Sequence, residues 1–206
     1  MTTPRHPDFF FVGHPRSGSG LLDSYLAAIR EARHSIRLYA PYFVPEPRFA
    51  AALVDARRRG VRVVILTNSA ESLDESSLIF SAMLLSVTDS LGGRPPLVNA
   101  GVRMQIWSRR STLHRKGGLI DAGHPGEKAF VGSDNLDTRG QHFSSESVVW
   151  TDDTRVVRQL ARDFDRDVGM SWRLTRSYFQ EWIRSENRTP AGRFRLWTAR
   201  HLRRLF

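Results

Sequence analysis

The segment Val61-Arg-Val-Val-Ile-Leu-Thr67 constrains the fold more than any other part of this chain. It is short, rich in β-branched residues and almost free of polar side chains, as expected of a strand buried on both faces of a sheet. Arg48 to Arg59 precedes it as a helix stopped by Gly60, and Ser35 to Phe43 comes earlier still as a strand halted by Pro45 and Pro47. Leu21 to Ala32 is an amphipathic helix with Leu22, Leu26 and Ile29 at helical steps. Downstream, Asp74 to Leu91 reads as a helix ended by Gly92-Gly93. Strands are expected at Val102 to Trp107, His114 to Asp121, Lys128 to Gly132 and Glu146 to Thr151. Ala122 to Glu127, rich in Gly and Pro, is a hairpin loop, and Thr154 to Gly169 returns as a helix. Such alternation with short connections predicts an α/β domain.

With 206 residues, the chain can build one full core, assigned to residues 1–190, followed by a basic amphipathic tail at 191–206. The tail interleaves Phe194, Leu196, Trp197, Leu202, Leu205 and Phe206 with arginines, a pattern suited to a packed terminal helix or to a membrane interface. The absence of cysteine excludes disulfides, thiolate metal sites and thiol nucleophiles. No signal peptide or transmembrane stretch is visible, so a cytoplasmic chain is expected, with peripheral contact at the inner membrane face. A formal charge of +10 points to anionic partners: nucleic acid, an anionic membrane or a phosphorylated substrate. Arginine supplies nearly all of that charge, and Lys116 and Lys128 are the only lysines.

Lys116 stands two residues after His114, and Asp121 follows in the spacing H-x-K-x4-D; Gly132-Ser133-Asp134-Asn135 comes next. Two residues apart on a strand, His114 and Lys116 leave the same face. A phosphate held there meets an imidazole, able to attack or to donate a proton, and an ammonium that neutralises charge growing on the equatorial oxygens. Ser133 and Asn135 add a hydroxyl and a carboxamide, while Gly132 admits close backbone approach. Asp121 falls on the opposite face by parity and reads as a buttress or turn anchor. No metal or other cofactor is called for.

This constellation resembles the half-site of the phospholipase D superfamily. Gly132-Ser-Asp-Asn-Leu-Asp-Thr-Arg139 and Pro41-Tyr-Phe-Val-Pro45 are similar to stretches in the C-terminal half of bacterial cardiolipin synthases, and Leu66-Thr-Asn-Ser69 to one subgroup of them. The resemblance implies an α/β/α sandwich, a mixed sheet with helices on both faces. It implies catalytic roles for His114, Lys116 and Asp121 of the motif, and a phosphate pocket of Lys116, Ser133 and Asn135. Glu146 stands where the family places a carboxylate that orients the imidazole, and Tyr42 is a candidate for the substrate channel. The implied activity is phosphatidyl transfer on glycerophospholipids through a phosphohistidine, with a metal-independent nuclease as the alternative.

The motif occurs once, whereas in-line displacement needs an imidazole on each side of phosphorus. His6, His14 and His34 have no lysine two residues later. A second half-site must come from a homodimer mate, from a separately encoded N-terminal half, or from the remainder of a longer enzyme of which this chain is a piece. Otherwise the chain is an inactive half that only binds phosphate or lipid.

Overall fold

The computed structural model describes residues 9–11 (backbone), 20–73, 77–90, 95–138 and 146–202. Its strands are β1 (Phe9–Phe11), β2 (Ser35–Tyr39), β3 (Arg62–Thr67), β4 (Arg103–Trp107), β5 (Gly117–Ile120), β6 (Lys128–Gly132), β7 (Ser147–Thr151) and β8 (Ser171–Arg173). The helices are α1 (Gly20–Glu31), α2 (Pro47–Arg58), α3 (Ser77–Thr88), α4 (Thr154–Gly169), α5 (Arg176–Asn187) and α6 (Pro190–Leu202). All eight strands form one sheet in the order β1-β7-β6-β5-β2-β3-β4-β8. β2, β3 and β4 run parallel, and every other pairing is antiparallel. The expected mixed α/β sheet with helices on both faces is what the chain builds.

The two faces are covered unequally. Leu22, Leu26 and Ile29 of α1, Phe49 and Leu53 of α2, and Phe80 and Leu84 of α3 pack over Ile36, Leu38, Val63, Ile65, Met104, Ile106 and Phe130. The reverse face, with Tyr39, Val64, Leu66, Trp107, Leu119 and Ala129, meets Val157 and Phe164 of α4, flanked by Leu160, Ala161 and Val168. Those five α4 positions repeat every three or four residues, the spacing of a single apolar stripe. β3 is buried from Val63 to Thr67, as its sequence predicts.

Local chemistry sets the element ends. Pro47 occupies the first turn of α2, and the Glu46 carboxylate caps it, accepting from Arg48 N at 2.6 Å and Phe49 N at 3.1 Å. Two expected strands are shorter than their apolar runs. β2 stops at Tyr39, because the chain then turns, with Val44 N donating to Tyr42 O at 2.8 Å. β5 begins at Gly117 instead of His114, so His114 and Lys116 lie in the segment leading into the strand. The ladder reaches one residue further, through Gly132 N donating to Lys116 O at 3.2 Å. The expected tail is helical over Pro190–Leu202 and packs against α3.

Candidate active site

His114, Lys116, Ser133 and Asn135 lie at one end of the central strands, beyond the C-terminal ends of the parallel strands, where open α/β folds place their ligand crevices. Gly117 pairs with Val131 across β5 and β6, and Ser133 N donates to Ser147 O at 3.0 Å across to β7. His114 and Lys116, Ser133 and Asn135, and Glu146 therefore sit at adjoining strand ends. Beside them, an open groove of about 460 Å³ is lined by His114, Lys116, Gly117, Val131, Gly132 and Asp163 among others. His114 is exposed, and the Lys116 ammonium donates to the His114 carbonyl at 3.2 Å.

Buried polar groups hold the residues on either side of His114. Asn68, fully buried at the end of β3, donates to Leu113 O at 3.0 Å and to Pro41 O at 3.2 Å. Its carbonyl accepts from Leu113 N at 2.8 Å and from Ser72 Oγ at 2.9 Å. The four contacts use the whole hydrogen-bonding capacity of the amide. On the other side, the Arg115 guanidinium pairs with Asp167, a buried carboxylate of α4 that also accepts from Tyr39 Oη at 2.8 Å. Burial pushes the Tyr39 phenol above its ordinary range. These attachments hold the residues before β5 by side chains instead of by a neighbouring strand, which is why the strand starts late. Neither Asn68 nor Asp167 follows from the motif; the sequence signals for Asn68 were its place just after the apolar run Val63–Leu66 and the resemblance carried by Leu66-Thr-Asn-Ser69.

The phosphate loop after β6 depends on close packing. A Cβ on Gly132 would lie 2.2 Å from Ser147 O, so only glycine fits. Asp134 turns the loop by accepting from Leu136 N at 3.0 Å, and Leu136 takes φ 59°, unusual for a branched side chain. Asn135 Oδ1 is buried without a hydrogen-bond partner among the described residues.

Three expected roles look different in three dimensions. Asp121 lies past the far end of β5, seven positions from His114 and roughly 20 Å away for an extended chain. It accepts from Arg33 N at 2.9 Å, His34 N at 2.7 Å and Ser35 N at 2.8 Å. Burial would raise its pKa, but the three amides outweigh it and hold the carboxyl below its usual range. The motif aspartate is thus an anchor for the α1–β2 turn, which corrects its assignment as catalytic. Glu146 accepts the Ser133 hydroxyl instead of an imidazole N–H, and Ser133 Oγ in turn accepts from Ser147 N at 3.1 Å. Tyr42 is buried in the turn after β2 and does not line the groove beside His114. Among the described residues, no group of three or more His, Cys, Asp or Glu side chains is placed to share a metal ion.

Comparison with known proteins agrees with this arrangement. Residues 25–168 match the family model described as cardiolipin synthase, PLD-like domain. Cardiolipin synthase 2 of Bacillus anthracis is 31% identical over 144 residues, covering 70% of this chain and 25% of that protein. A cardiolipin synthase of Geobacillus sp. (strain WCH70) is 31% identical over 157 residues, covering 76% and 28%. The chain therefore spans between 25% and 28% of the length of these two relatives. Among solved structures, Nuc of Salmonella typhimurium, a phospholipase D family member, superposes with a TM-score of 0.60 at 21% identity, over 82% of this chain and 99% of that one. Phosphatidylserine synthase of Haemophilus influenzae gives a TM-score of 0.59 at 13% identity, over 91% and 46%. Fold, motif and family model coincide over the same residues, and the chain belongs to the phospholipase D superfamily, within its cardiolipin synthase-like domain family.

Proposed function

We propose that this chain contributes one half-site of a phosphodiester-transfer centre acting on glycerophospholipids, with the opposing half-site supplied by another chain. The observation that supports this reading is that the segments bearing His114 and Lys116, and Ser133 and Asn135, adjoin at paired strand ends, with His114 and Lys116 lining an open groove. One imidazole attacks phosphorus and displaces the alkoxide, which leaves with a proton from the opposing imidazole. An acceptor alcohol or water then gives its proton to that second imidazole, attacks phosphorus and frees the histidine. The Lys116 ammonium and the hydroxyl and amide of the phosphate loop offset the charge on the non-bridging oxygens. Glu146 supports the pocket through Ser133 in the single chain. When a phosphate draws Ser133 away, its carboxylate is free to receive an imidazole N–H, the orienting role its position implies.

A second reading has one observation in its favour. The Salmonella structure is matched over 99% of its length by a chain of this size, so a centre built from two copies of this chain is sterically reasonable. Its substrate would then include nucleic-acid phosphodiesters, drawn by the charge of +10.

His114→Ala tests both readings. Conversion of two phosphatidylglycerols to cardiolipin and glycerol, and cleavage of a DNA duplex, should fall at least about a thousandfold with the melting temperature unchanged. Residual activity close to wild type would overturn the assignment, and the substrate retained by the wild-type chain chooses between lipid and nucleic acid.

A further inference from the structure

α6 has two unlike faces. Gly192, Leu196 and Ala199 are buried, and the last two pack with Ala82, Met83 and Leu85 of α3 and with Val44. On the opposite side, Phe194 is 68% exposed and Trp197 57%, their rings stacked at 6.2 Å; the His201 ring lies 4.6 Å from Trp197. Leu202 is also exposed. Elsewhere among the described residues, only Val131 and Val156 are large exposed apolar side chains.

The surroundings of this ridge are cationic. Arg193 and Arg200 are exposed on one flank, as the 100° helical step requires, and Arg184 and Arg188 are exposed where α5 leads into α6. No Asp or Glu occurs from Thr189 to Phe206. An apolar aromatic ridge rimmed by arginine suits the boundary between acyl chains and anionic headgroups, where ring bodies are buried and guanidinium groups meet phosphate. A second copy of the chain would bring the same arginines against their like. A nucleic-acid base would need a free ring face, whereas the indole is flanked by the Phe194 and His201 rings.

The ridge is also tied to the active-site edge. Val44 shares an apolar cluster with Leu196 and Ala199, and its carbonyl accepts from Thr138 N at 3.2 Å, three residues after Asn135. We propose that the Phe194–Trp197–Leu202 face of α6, with its arginine flank, is a docking surface for the headgroup region of an anionic bilayer. Docking there holds the catalytic edge close to a lipid surface, which goes beyond the assignment of the phosphodiester site and does not require it.

Vesicle flotation of the full chain tests this face. The wild type should float with phosphatidylglycerol-containing vesicles, more weakly with phosphatidylcholine alone, and less at high salt. Phe194→Ser with Trp197→Ser should weaken the affinity at least about tenfold. Brominated acyl chains should quench part of the wild-type tryptophan emission, and that quenched part should vanish in Trp197→Phe. Equal flotation of wild type and double variant would overturn the proposal, as would a double variant that changes only the mass in solution. A chain that docks but turns over no phosphodiester even with an opposing half-site present upholds this face and sinks the enzymatic reading; one that turns over lipid without docking does the reverse.

Discussion

Asn68 shows how a single residue can govern a site it does not touch. Both backbone groups of Leu113, the residue before the catalytic imidazole, end on its amide. Asn68→Ala leaves both Leu113 groups buried without partners, while Pro41 O keeps the Thr67 hydroxyl at 3.2 Å, at a cost of about 2–4 kcal/mol in stability. In protein that remains folded, kcat should fall more than KM rises, because the imidazole is displaced while the phosphate pocket persists. Equal kcat in the folded variant would refute the positioning role. Asp134 bears on stability instead. It is 2% exposed, and burial pushes its carboxyl up to about 7, with the charges of Asp137 and Glu146 adding to the rise. A carboxyl raised on folding stabilises the protein fully below its unfolded pKa, and that contribution is lost as pH climbs through the folded value. Stability should therefore decline from about pH 4 to 7. Asp134→Asn keeps the acceptor for Leu136 N and should flatten the decline, gaining up to about 4 kcal/mol above pH 7. Thermal melts across that range check it; parallel curves for variant and wild type would refute the burial argument.

Among the elements, β5 holds two adjacent glycines that leave no room for a side chain. A Cβ on Gly118 would stand 2.5 Å from the Phe130 ring and 2.7 Å from Leu38, and one on Gly117 would stand 2.5 Å from Phe130 O. Gly118→Ala should thus cost about 1–3 kcal/mol, read as a lower denaturant midpoint with unchanged slope. The strand carries the proposed catalytic segment at one end and the Asp121 anchor at the other, so both depend on its closeness to β2 and β6. Elements with a full period were legible in the sequence: α4 spans Thr154–Gly169 and β6 spans Lys128–Gly132 as patterning implies. β1 and β8, with three residues each, are too short to show alternation. α5 has no fully buried residue, and its half-buried aromatics leave a weak stripe, so it could not be read in advance.

For the molecule as a whole, the proposed half-site reading makes activity a property of association. Specific activity should rise with chain concentration and level off as the complex saturates, in step with solution mass. Mixing His114→Ala chains into wild type should lower activity more than dilution alone if two copies build the centre. Constant specific activity of a monomer down to nanomolar concentration would overturn the half-site argument. The unequal cover of the sheet, with α4 the one helix on the reverse face among the described residues, leaves the groove beside His114 open.

By itself, the order of residues determined the alternation of helix and strand and the grouping of histidine, lysine, serine and asparagine around a phosphate. Those properties are written in local periodicity and in side-chain chemistry at fixed spacing. Only the folded chain decided that Asn68, 45 residues before Leu113, and Asp167, 52 residues beyond Arg115, would clamp the catalytic segment. It also decided which amides Asp121, legible as an anchor from its parity, would hold, and that Glu146 would take the Ser133 hydroxyl. Buried donors and acceptors pair with whatever group packing brings within about 3 Å, and that choice is invisible until distant segments meet.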